Sequence, residues 1–392
     1  MDDLVAEYLR MGLRIGRLVP GFVDCWFGPP ELAAQVAEEA EPTPAALRAR
    51  VGELLAAEPR DRFLTAQLTA LHCTTRRLAG EDVPFAEELE SYFEVSIQPT
   101  DPERYVAVHQ EIAELLPGSG DLAGRIAAHA DRDHCPVDRL GDAVRALSQG
   151  LRELTRPLVD LPDGESIEYS VVTGKPWNAF NHYLGGFRSH VEINADPGHG
   201  LSALPLLVTH ESYPGHHTEH CVKEAGLVHG RGELQHTIAL VNTPQCLLSE
   251  GAGEAAREVV LPEGWGTWAA DVLGELGLRL DGELAERLFD LTSRLHPVRQ
   301  DAALLLHEKG ADPEEVVRYL RRWMLVGEGR ARHMVGFLSD PLWRAYTTTY
   351  VEGVRLVREW LAAAPDRTAA YGRLMREQLL PSQLREELAT RR

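Results

Sequence analysis

The eight residues His210-Glu211-Ser212-Tyr213-Pro214-Gly215-His216-His217 constrain this 392-residue chain more than any other stretch. They follow the apolar run Leu204-Pro205-Leu206-Leu207-Val208 and bring three imidazoles and one carboxylate close together. Imidazole nitrogen is the commonest protein ligand for zinc, and a Glu beside such a ligand is a usual base for activating water. The pattern is that of a hydrolytic zinc site, but the spacing departs from H-E-x-x-H, where the histidines share one helical face at i and i+4. Position i+6 points roughly 120° away from His210, and i+7 lies about 10 Å along the axis. An unbroken helix therefore brings neither His216 nor His217 to an ion held by His210. Pro214-Gly215 resolves the conflict, because proline clashes with the preceding turn and glycine admits otherwise strained angles. A bulge or kink there is expected to fold the second half of the motif back toward His210. The alternative is that Pro-Gly ends one helix, starts another and leaves the histidines as surface residues.

H-E-S-Y-P-G-H-H resembles the H-E-x-x-P-G-H-H signature of the DUF885 family, bacterial proteins regarded as relatives of the gluzincin metallopeptidases. The resemblance is strongest over about residues 165–260, weaker through the C-terminal part and not evident over the first hundred residues. It implies a mostly helical, zinc-peptidase-like fold with His210 and one of His216 or His217 as ligands and Glu211 as general base. A gluzincin takes its third ligand, a Glu, from a helix downstream. Thr243-Pro244 is a good helix start, with a hydroxyl cap and proline in the first position. In the helix that follows, Glu250 and Glu254 share a face. This matches an arrangement in which Glu250 ligates the metal and Glu254 holds a ligand His. Relatives usually carry Glu-Gly-Trp-Ala at this point, whereas this chain has Glu250-Gly251-Ala252-Gly253, whose small residues let the helix approach the metal helix closely. A competing site would use His216, His220 and Glu219, which need no kink but leave His210-Glu211 without a role.

Alternation in Ser166-Ile167-Glu168-Tyr169-Ser170-Val171-Val172 predicts a strand, closed by a turn at Thr173-Gly174-Lys175-Pro176. His182-Tyr183-Leu184 and Ser189–Asn194 continue the signal around a Gly185-Gly186 hairpin turn. Peptidases of this kind align substrate by strand addition, and the strand at 188–194 is the candidate edge. The rest reads helical, including Asp271–Leu280, Leu284–Leu295, Pro313–Leu325 and Pro341–Ala362. The expected class is mainly α with a small antiparallel sheet, in a zincin-like, two-lobed architecture. An N-terminal helical lobe would span 1–160, and a metal-binding lobe 161–392, with the sheet at 165–195, metal helices at 200–260 and C-terminal helices at 266–392.

A net charge of −20 disfavours a nucleic-acid partner. No apolar span is long enough for a membrane, and the acidic start Met1-Asp2-Asp3 lacks a signal-peptide pattern. Five scattered cysteines suggest reduced thiols and, with that start, a cytoplasmic protein. No G-x-S-x-G elbow, P-loop or dinucleotide fingerprint is present. The expectation is a zinc-dependent hydrolase, a metallopeptidase acting on short peptides. Zn²⁺ would be held by His210, His216 or His217, and Glu250, with Glu211 as base. His333, Tyr346 and Tyr350, which by resemblance pack across the cleft, are candidate donors to the oxyanion. The rival readings are a non-catalytic metal-binding protein and a hydrolase of a non-peptide amide or ester.

Overall fold

The computed structural model describes residues 2–57, 60–175, 177–261 and 263–391; Met1 and the turn residue Pro176 lie outside them. The chain is mainly helical. Helices at Asp3–Leu18, Pro30–Glu38, Pro44–Ala56, Arg62–Leu78, Phe85–Phe93, Pro102–Leu115, Leu122–Arg132 and Val137–Thr155 fill the first part. Local chemistry sets many of their starts. Asp61 accepts hydrogen bonds from the Phe63 and Leu64 amides, Asp101 from Glu103 and Asp121 from Gly124. Each such cap is worth about 1 kcal/mol.

Three strands follow: β2 (Ser166–Val172), β3 (Ala179–Gly185) and β4 (Arg188–Asn194), with β1 (Val23–Trp26) far upstream. Gly185, Gly186 and Phe187 all have positive φ, which closes the β3–β4 hairpin. This hairpin is antiparallel, and β2 joins β4 in parallel, giving the order β2-β4-β3. The strand at 188–194 is thus central, paired on both sides, and cannot be the edge that aligns a substrate. β2 and β3 take the outer positions. A second small sheet, absent from the sequence expectation, pairs β1 with β5 (Ile238–Leu240). These strands are only four and three residues long, too short to show a period.

The hydrophobic clusters do not divide at residue 160. The largest joins Leu89, Tyr92 and Ile112 to Leu247, Trp323, Trp360 and Tyr371. A second joins Leu9, Ile15 and Leu68 to Ile238 and Leu240, and a third joins Leu140 and Leu147 to Val191, Val208 and Leu273. The stretches 1–160 and 161–392 therefore share their cores, because the early helices bury their apolar faces on later elements. Among the described residues no helix is long and apolar enough to cross a membrane.

Downstream helices occupy Trp265–Glu275, Gly282–Ser293, Pro297–His307, Pro313–Met324 and Glu328–Ser339. The helix expected over Pro341–Ala362 is regular only from Val354. Before it run a 3₁₀ turn at Tyr346–Thr348 and a π-helical turn at Thr349–Gly353. A close crossing accompanies the irregularity: a Cβ on Gly251 would lie 2.5 Å from the carbonyl group of Gly353.

Candidate metal centre

The Leu204–Glu211 helix carries His210 and Glu211 in its last turn and stops there, with Ser212 at φ −124°, ψ −93°. A new helix runs from His216 to Lys223. Between them the Gly215 amide donates to the Thr209 carbonyl at 3.0 Å. A Cβ on Gly215 would lie 1.9 Å from the His210 carbonyl oxygen and 2.4 Å from that of Thr209. Only glycine fits so tight a return. Pro-Gly does separate two helices, but the histidines are not left at the surface: His217 is fully buried and the break places the His216 ring 4.5 Å from that of His210, nearly perpendicular at 87°.

The third element is the Pro244–Val260 helix, capped as expected by the Thr243 hydroxyl, which accepts from the Cys246 amide at 3.3 Å. Glu250 Oε2 lies 3.3 Å from His210 Nε2, and Oε1 lies 3.5 Å from His216 Nε2. One turn on, Glu254 Oε1 stands 3.4 Å from His210 Nδ1. Gly253 makes room for this packing, since a Cβ there would come within 3.0 Å of the His210 ring. Gly251 faces the C-terminal segment instead of the metal helix. Ligand atoms of His210, His216 and Glu250 all fall within 4.8 Å of one another. Zinc bonds of about 2.0–2.2 Å in a tetrahedron give ligand separations of about 3.3–3.6 Å. Each imidazole stands at such a distance from one oxygen of Glu250, His210 from Oε2 and His216 from Oε1. Glu250 Oε2 is buried without a hydrogen-bond partner, and such unmet polar groups are rare and costly. The residues fit a zinc ion.

Their electrostatics agree. Burial opposes charge on His210, but Glu250 and Glu254 outweigh it and raise the pKa well above the ordinary value. His216 is also raised, by Glu250 against burial and the neighbouring His210. Burial likewise works against ionised Glu250 and Glu254, yet the imidazoles hold both below the usual carboxylate range. Burial pushes the Glu211 carboxyl up, against the pull of His210 and His216. The site attracts positive charge, whether proton or metal ion.

His217 does not belong to it. One residue beyond His216 on a helix, it turns roughly 100° away and is fully buried. Its Nδ1 meets Ser189 Oγ at 2.8 Å and its Nε2 meets Glu165 Oε2 at 3.0 Å. Glu165 also accepts from Tyr213 and Arg152. His217 is thus a strut between the second metal helix and the start of the sheet. The competing site is not assembled either. His220 stacks on Tyr183, with centroids 4.7 Å apart. Glu219 binds Lys223 Nζ at 2.6 Å and Ser249 Oγ at 2.6 Å. Ser249 in turn stands 3.3 Å from His216 Nδ1, so Glu219 steadies the His216 ring from behind through Ser249.

A cleft of about 750 Å³ opens at this cluster and includes Glu211, Asn181, His333, Trp343, Tyr346 and Tyr350 in its wall. Asn181 on β3 donates to the Glu211 carbonyl at 2.6 Å. The Tyr346 hydroxyl donates to Glu250 Oε1 at 2.8 Å. The Tyr350 ring lies 6.5 Å from that of His210, and its hydroxyl has no hydrogen-bond partner among the described residues. His333 is exposed on the Glu328–Ser339 helix. Sequence reasoning missed Glu165, Asn181, Ser189 and Ser249. Only Ser249 left a trace, as the residue beside Glu250.

The chain matches no protein-family model and no curated protein sequence. It is similar in fold to two solved structures. One is a candidate lipoprotein of Colwellia psychrerythraea, with 12% identity and a TM-score of 0.54 over 91% of this chain and 65% of that one. The other is a candidate lipoprotein of unknown function from Shewanella oneidensis, with 16% identity and a TM-score of 0.55 over 92% of this chain and 70% of that one. The chain thus spans slightly less than two thirds of the first structure's length. At such identities the likeness shows the fold alone.

Proposed function

We propose that this chain is a zinc-dependent hydrolase, as the DUF885 resemblance implies, and that it is a metallopeptidase acting on short peptides in the cytoplasm. The observation that carries the reading is the His210–His216–Glu250 triangle, whose ligand atoms lie within 4.8 Å of one another in the wall of a cleft that also holds Glu211. His210, His216 and Glu250 would hold the ion, and a set of three protein donors is the kind found in catalytic rather than structural zinc sites. When bound, zinc polarises a carbonyl and lowers the pKa of water to about 7.

Glu211 is no member of the triangle and is free to act as base. It takes the proton of the attacking water and returns it to the leaving amine. Tyr350, whose hydroxyl is uncommitted, donates to the oxyanion, and His333 supplies a second donor. Tyr346 fixes Glu250, and Asn181 anchors the backbone of Glu211. The test is a peptide-library digest with Glu211→Gln alongside the parent. The substitution should keep zinc and lose about 10²–10⁴-fold in turnover. Turnover within a factor of a few of the parent would exclude Glu211 as the base. A parent that cleaves esters or simple amides but no peptide would favour the other hydrolase reading.

A further inference from the structure

Asp24 lines the same cleft from β1, on a strand that carries no metal-site residue. The β1–β5 pairing slips between Val23 and Cys25, so Asp24 occupies the bulge. Bulges next to active sites re-aim a side chain. Its neighbour Cys25 is buried against the Tyr183 carbonyl, while the Asp24 carboxylate has no hydrogen bond or ion pair among the described residues. Both lysines of the cleft wall are already committed: Lys223 to Glu219 at 2.6 Å and Lys175 to Glu192 at 3.3 Å. Burial pushes the Asp24 carboxyl up to about 7, and His216, Glu250 and Glu211 all act on it electrostatically. An acidic side chain that lines this cleft from a bulge with no partner in the chain is placed to take a cation from outside it. A second metal is not that cation, because Asp24 gathers no further ligands; the one grouping among the described residues is His210, His216 and Glu250.

We infer that Asp24 receives the α-ammonium group of a peptide, making the site one that removes residues from the amino terminus. This rests on the peptidase reading above. An extended residue spans about 3.3–3.6 Å, so a peptide whose carbonyl lies at the His210–His216–Glu250 cluster keeps an amino terminus one or two residues away inside the same cleft, whose wall includes Asp24. Side-chain ammonium groups share the chemistry, and the experiment separates the two sources.

Glu211→Gln protein, loaded with zinc, would be titrated calorimetrically with three amidated tripeptides: Ala-Ala-Ala, its N-acetyl form and N-acetyl-Lys-Ala-Ala. No turnover is needed, so failure here is distinct from failure of the hydrolase reading, which is scored by the digest. The free-amine peptide should bind about ten- to a hundredfold tighter than its acetylated form. Adding Asp24→Asn should erase that preference while zinc content stays the same. Equal binding of the first two peptides, no binding of any, or a preference that survives Asp24→Asn overturns the proposal. Tighter binding of the acetylated lysine peptide than of the free-amine peptide overturns the terminal assignment.

Discussion

Gly215 closes directly onto the backbone of His210: a Cβ at Gly215 would sit 1.9 Å from the His210 carbonyl oxygen. That contact converts a spacing unsuited to a helix into a pair of imidazoles facing one carboxylate. Gly215→Ala should therefore separate His216 from His210 as well as strain the fold. Backbone displacement of this kind costs about 1–3 kcal/mol or more. Urea unfolding should show the loss, and zinc affinity should fall in the protein that remains folded. An alanine variant with parental stability and zinc content would mean the turn is far softer than its packing implies.

His216 and His217 should part company on substitution. His216→Ala removes a ligand, so elemental analysis should find zinc well below one per chain while circular dichroism stays parental. His217→Ala leaves Ser189 and Glu165 without an imidazole partner. Stranding buried polar groups costs about 1–3 kcal/mol. Its signature is a lower unfolding midpoint with zinc retained. The reverse pattern would assign the ligand role to His217.

Glu250 and Glu254 differ in the same way one helical turn apart. Glu250 faces the Nε2 atoms of both imidazoles, whereas Glu254 faces only His210 Nδ1. Loss of an outer partner usually weakens metal binding about 10–100-fold, and loss of a ligand costs more. Zinc titration of Glu250→Ala and Glu254→Ala should rank them in that order. Equal affinities would remove the distinction.

The parts of the site that could be read from the sequence are those encoded locally. His210, Glu211 and the Pro-Gly break sit within one short motif, and Glu250 with Glu254 follows a capped helix start at Thr243-Pro244. The choice between His216 and His217 was not readable, because it depends on where the second helix begins after Gly215. Asp24 and Glu165 come from segments remote from the motif, placed by strand pairing and by burial against His217. Position 188–194 read correctly as a strand, but its central place depends on β2 joining it in parallel, which alternation does not encode. The long helix expected through Pro341 to Ala362 failed for a related reason. The close approach of Gly353 to Gly251 accompanies a π turn that no periodicity announces.

The Glu165 network should make stability depend on pH. Burial raises the Glu165 pKa, but hydrogen bonds from His217, Tyr213 and Arg152 outweigh it and lower the carboxyl from 4.5 to about 2. A carboxyl depressed in the folded state stabilises the protein above the unfolded-state value. That contribution disappears as pH falls from 4.5 toward about 2. The upper bound is about 3 kcal/mol. Glu165→Gln keeps the shape and removes the charge, so the parent should exceed it by up to that amount at neutral pH. Denaturant unfolding at successively lower pH should show the two converging below about pH 4.5, where the parental carboxyl begins to bind protons on unfolding. Zinc release in acid affects both proteins and cancels in the difference. A gap that stays constant from neutral pH down to pH 3 would mean that Glu165 stabilises by shape rather than by charge.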